Sequence, residues 1–111
     1  MTNESIDQIL DHEFSHDFTE KMQNRMVFSF YKYGAIKDGF PDKLDALASL
    51  KARLERYVIT GNTEYLVDAA NFAMIEFMLP KHKNAHFEAK DSHDSPGRVT
   101  VDGVTTDKPN L

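Results

Sequence analysis

Glu64, Asp68 and Asn71 are the residues of this chain whose types and spacing best suit chemistry. At about 100° per residue on a helix they fall within roughly 60° of arc, so one face would present two carboxylates and an amide. Oxygen donors of this kind suit a hard divalent cation such as Mg²⁺. A second acidic helix must complete such a site, and Glu13, Asp17 and Glu20 share one face of an upstream segment. Asp17 and Glu20 would then hold the metal together with Glu64 and Asp68. The metal would bind phosphates and lower the pKa of an attacking water, with Glu64 and Asp68 as the catalytic carboxylates. Arg25, Lys32, Lys51, Arg53 and Arg56 are available for phosphate oxygens. The structural alternative is simpler. Glu64 lies in a first helical turn, where the dipole favours an acid, and Asp68 would pair with an Arg of the neighbouring helix.

Two histidine groups also deserve weighing. His12-Glu13-x-x-His16 matches the zinc-protease pattern, in which two His one turn apart ligate zinc and the Glu acts as base, with Glu64 as a third ligand. The motif is short, and its flanks lack the apolar run that would bury it, so surface histidines on a first helix are the stronger reading. His82, His86 and His93 with Asp91 and Asp94 could hold a metal only if His82 and His86 shared a helix, which Pro80 and Asn84 oppose. Ser92-His93-Asp94-Ser95 contains triad residue types, but neighbours in sequence cannot arrange themselves as nucleophile, base and orienter.

The elements that must position these groups read as helices. Residues 3–13 give a short first helix with Ile6, Ile9 and Leu10 on one side and Asn3 or Ser5 as cap. A second, from about Asp17 to Tyr33, places Phe18, Met22, Met26 (or Arg25) and Phe30 at helical spacing and stops at Gly34; the two could be continuous. A third is expected from Pro41-Asp42 to about Thr60, with an apolar stripe of Leu44, Leu47, Leu50, Leu54, Tyr57 and Val58, ending at Gly61. A fourth, about Thr63 to Met78, has Asn62 as cap and Pro80 as stop, and is apolar nearly all round. The short link makes the last two antiparallel neighbours. The fold is therefore expected to be all-α, a small helical bundle. An acidic arm covers 1–16, a helical core 17–88 and a mobile tail 89–111, with Val99–Val104 at most a short extended piece.

Composition bounds the function. The chain has 111 residues, no cysteine and a net charge of −5. One small domain follows, without disulfides or thiolate chemistry, and without the basic footprint of a nucleic-acid binder. No window approaches a membrane span and the first residues lack signal-peptide character, so a cytoplasmic protein is expected. Residues 1–20 carry six acids and no base, whereas 21–60 carry eight bases and four acids. That asymmetry fits pairing within the chain or with a partner. Too few helices are present to cover the fourth one, so a homo-oligomer is expected, packed through Phe72, Ile75 and Met78.

The block running from Lys32-Tyr33-Gly34 through Thr60-Gly61-Asn62-Thr63-Glu64-Tyr65-Leu66-Val67-Asp68-Ala69-Ala70-Asn71-Phe72 to Ser95-Pro96-Gly97-Arg98 resembles a group of small phage and bacterial proteins with no established activity. More distantly, the helical layout is similar to the all-α NTP pyrophosphohydrolases of the MazG-like superfamily. That resemblance implies Mg²⁺-dependent cleavage of a nucleoside triphosphate, with Asp68 matching the later metal-binding Asp, Asn71 a substrate-side group, and Asp17 with Glu20 the first acidic pair. Glu64-x-x-x-Asp68 is one residue longer than the family's later pair. Three functions are carried forward: a Mg²⁺-dependent nucleotide-binding protein of this type; a non-enzymatic helical oligomer that binds a host protein or sequesters a nucleotide; and a minimal zinc protease.

Overall fold

The computed structural model describes residues 3–90 together with 96–101 and 104–109. Within them four α-helices run in order: α1 (Ile6–Glu13), α2 (His16–Tyr33), α3 (Ala46–Thr60) and α4 (Glu64–Met78), with one 3₁₀ turn at Ile36–Asp38 between α2 and α3. The fold is an all-α helical bundle. Among the described residues no helix is long and apolar enough to cross a membrane.

Local hydrogen bonds explain most of the helix ends. Ser5 and Gln8 form a reciprocal capping box: the Ser5 hydroxyl accepts the Gln8 N–H at 3.2 Å and the Gln8 side chain accepts the Ser5 N–H at 2.7 Å. Phe14 then adopts an extended conformation and ends α1, and the Ser15 hydroxyl accepts the Phe18 N–H at 3.0 Å to start α2. The two helices are therefore not continuous. α3 starts at Ala46, later than the expected Pro41-Asp42. Lys43 and Leu44 donate their N–H groups back to the Gly39 carbonyl, each at 2.9 Å, and the Asp45 carboxylate accepts the Ala48 N–H at 3.0 Å. Gly61, at φ 71°, closes α3 by donating to the Tyr57 carbonyl at 2.8 Å. The Asn62 side chain accepts the Glu64 N–H at 3.0 Å, as its sequence position foretells.

Helix α4 is the centre of the bundle. α3 packs along one side and α2 crosses another. The pairings Asp45 with Lys81, Arg53 with Asp68, and Arg56 over Tyr65 run in opposite directions along the two chains, so α3 and α4 are antiparallel. Val67, Ala69, Asn71 and Ile75 of α4 and Ala46 of α3 are the buried residues. Small side chains let the backbones approach closely, which is why no large side chain is fully enclosed. Two of the expected faces are oriented differently. Ile75 is buried inside the chain and Phe72 half-buried at the cleft, so of the trio assigned to self-association Met78 alone is exposed. On α3 the covered stripe is Ala46, Ser49, Leu50, Arg53 and Tyr57, while Leu47, Leu54 and Val58 face outward.

Beyond residue 90 the described residues form two antiparallel strands, β1 (Pro96–Val101) and β2 (Val104–Pro109), in register from Pro96 opposite Pro109 to Val101 opposite Val104. The expected extended piece at Val99–Val104 covers the facing ends of this pair. Asp91, Ser92, His93, Asp94 and Ser95 lie outside the described residues.

Candidate functional site

Three helices meet around one carboxylate. Asp68 projects from α4 between Arg25 of α2 and Arg53 of α3. Arg25 Nε lies 3.4 Å from Asp68 Oδ1, and Arg53 Nε donates to Asp68 Oδ2 at 3.4 Å. Glu64, one turn earlier, stands 3.4 Å from Arg25 Nη1. The Asp68 side chain retains only 14% of its accessibility, against 42% for Arg25 and 37% for Arg53. The acid is therefore screened while both guanidinium groups still reach solvent. Arg25 Nε is buried, close enough to Asp68 for an ion pair but not aligned for a hydrogen bond.

This cluster forms one wall of a cavity of about 560 Å³ between α2, α4 and the segment that wraps from Gly34 to Leu44. The adjoining surface is aromatic and apolar. Phe72 and Phe40 have ring centroids 6.4 Å apart, and the Arg53 guanidinium lies 5.3 Å above the Phe72 ring. Ser29 and Ser49 add hydroxyls. Asn71 is the buried polar residue of the bundle, 5% exposed; its amide nitrogen donates to the Met22 carbonyl at 3.1 Å, and its Oδ1 has no partner in the protein. A buried acceptor without a donor costs about 1–3 kcal/mol, so a ligand or water donor at that position would be stabilising.

The structure brings Glu64, Asp68, Asn71, Arg25 and Arg53 to one place and leaves the other candidates apart. Asp17 holds Lys21 at 2.8 Å near the start of α2, and Glu20 is exposed. Arg25 follows them by eight and five residues, or about 12 and 7.5 Å along the helix, and it is Arg25 that faces α4. Lys32 stacks on Phe28 and Tyr33 at the exposed end of α2, and Arg56 lies over Tyr65 at 6.0 Å. No group of three or more His, Asp or Glu stands ready to hold a metal among the described residues. Both Asp68 oxygens face guanidinium groups, so the residues as placed form a salt-bridge network.

The histidines are also separated. The break at Phe14 puts His12 on α1 and His16 on α2, so they do not share a helical face as the zinc motif requires. His12 Nε2 lies 2.7 Å from Glu4, and the His16 ring packs edge-on against Phe14. His82 and His86 both bond to the backbone of Asn84 in a non-helical segment. Phe40, Phe72, Ser29 and Ser49 are site residues that sequence reasoning missed. The signal for Ser29 was present, since Met22, Arg25, Met26 and Ser29 follow helical spacing; nothing local placed the 34–44 segment over the cleft.

No protein-family model matches the chain, and neither a curated protein nor a solved structure matches it.

Proposed function

We propose that this cleft binds a small phosphate-bearing ligand of the nucleotide class, without requiring a metal. The carrying observation is the Arg25–Asp68–Arg53 bridge beside an aromatic wall. Asp68 holds both guanidinium groups through their Nε atoms, and among the described residues neither Arg53 Nη atom makes a hydrogen bond. A planar guanidinium has five donors, so each arginine can keep its contact with Asp68 and still clasp a phosphate oxygen. Phe40 and Phe72 offer faces for a base, and the Asn71 Oδ1 offers an acceptor for an exocyclic amine. Orientation by Asp68 reduces the rotamer freedom the arginines would lose on binding.

Phosphoryl transfer is the second reading, favoured by Asp68 in the cleft and Glu64 one turn earlier, both against Arg25. It needs Mg²⁺ to draw Asp68 away from its arginines, and it predicts metal-dependent turnover that Asp68→Ala abolishes.

Thermal melts with nucleoside mono- and triphosphates, each in EDTA and in Mg²⁺, separate the two. A ligand at about 100 times its Kd adds about 2.7 kcal/mol, a shift of several degrees in a domain this size. A metal-free shift that disappears in Arg53→Ala supports the binding reading. A shift requiring Mg²⁺, with pyrophosphate released, supports the enzyme. No shift with any nucleotide refutes both.

A further inference from the structure

The first helix is built but unused. α1 is capped at its N-terminus by a capping box, yet none of its residues is buried, and Ile6, Ile9, Leu10 and the following Phe14 are 76%, 40%, 40% and 47% exposed. An isolated helix of eight residues is unstable in water, so a helix this well formed calls for a covering surface. Its apolar stripe contains one acid: at about 100° per residue Ile6, Ile9, Leu10 and Glu13 lie within roughly 100° of arc.

A matching surface exists on α3. Leu47, Lys51, Leu54 and Val58 lie within roughly 60° of arc. The three apolar residues are 43%, 42% and 81% exposed, and Lys51 is exposed among them. One stripe thus carries an acid and the other a base, in an arm with no Lys or Arg and a helix with three basic residues to one acid.

We infer that α1 of one copy docks on the outer face of α3 of a second copy, with Glu13 against Lys51, and that two copies exchange arms reciprocally. A second copy is the occupant because the arm cannot serve its own chain. α1 joins α2 through Phe14 and Ser15 alone, and α4 stands between α2 and α3. The outer stripe of α3 is turned roughly 120° from the stripe that packs on α4, away from α2 and its arm. The inference is independent of what the cleft binds.

Light scattering and sedimentation of the full chain at micromolar concentration test it. The wild type is expected to be a dimer. Ile9→Asp removes the arm and Leu54→Asp removes the face; each alone is expected to be a folded monomer by circular dichroism, and a mixture to recover a one-to-one pair through the remaining arm and face. Lys51→Glu is expected to dissociate the dimer and Glu13→Lys in the same chain to restore it. Because the chain has no cysteine, Ile9→Cys oxidised against a partner carrying Leu47→Cys, Leu54→Cys or Val58→Cys should give an interchain disulfide. This trap leaves folding out of the question. A monomeric wild type, a dimer that survives Ile9→Asp, a mixture that stays monomeric, or a disulfide closing within one chain carrying both cysteines would each overturn the arm exchange.

Discussion

Asp68→Asn is the substitution that tests the cleft most directly. It keeps the shape and one acceptor oxygen while removing the charge that two arginines share. Two charges about 4 Å apart attract by about 2 kcal/mol at an effective dielectric near 40, suitable for groups this exposed. Desolvation of the largely covered acid offsets part of that, and the arginines, which still reach solvent, are screened by it, leaving about 1 kcal/mol for each pair. The variant should therefore lose about 2 kcal/mol, a fall in Tm of about 10 °C. Denaturant midpoints measure the loss, and a double-mutant cycle with Arg53→Gln should return a coupling of about 1 kcal/mol. A loss under about 0.5 kcal/mol, or no coupling, would refute the account of the site as a charge bridge. The same variant separates the two functions by sign. The amide oxygen of the variant can still orient the arginines, and with the negative charge beside the phosphate gone the pair should bind a nucleotide about tenfold more tightly in EDTA, equivalent to about 1.4 kcal/mol. If Asp68 is instead a metal ligand, binding in Mg²⁺ weakens.

Other positions give independent checks. Asn71→Ala loses the bond to the Met22 carbonyl and leaves a small void, which should lower stability by about 1–2 kcal/mol in urea titrations; it should also blunt nucleotide binding, and unchanged affinity would remove Asn71 from the site. Gly34, at φ 92° and ψ −171°, occupies a region that only glycine adopts readily, whereas Gly61, at φ 71° and ψ 7°, is in the left-handed helical region. Gly34→Ala should therefore cost about 2–3 kcal/mol and Gly61→Ala about 1 kcal/mol, and equal costs would contradict these conformations. The Ala48 N–H, with further help from Lys81, holds the Asp45 carboxyl below its ordinary value of 3.8. A folded value below the unfolded one stabilises above the ordinary range and is lost as pH falls through the folded value. The stability difference between wild type and Asp45→Asn should accordingly shrink on acidification, and a constant difference would show that the ionised cap contributes nothing.

The sequence by itself determined several of the helix ends, though not the start of α3 at Ala46 or the break at Phe14. Ser5 with Gln8, Gly34, Gly61, Asn62 and Pro80 act through bonds or clashes within a few residues, so their effects are readable without knowing what lies across the bundle. It also determined that Glu64, Asp68 and Asn71 share a face, because helical periodicity fixes that. Tertiary structure decided what the face meets. The spacing of Asp17 and Glu20 is as regular as that of Arg25, and only the crossing of α2 over α4 selected the arginine. On α3 the leucine stripe was the natural candidate for the core. Of that stripe Leu50 and Tyr57 are covered, together with Ala46, Ser49 and Arg53, the last of which meets Asp68 of α4. Leu47, Leu54 and Val58 were left outside. Helical periodicity fixes which residues share a stripe but not which stripe faces inward, and that choice rests on the neighbours that only the packed bundle supplies.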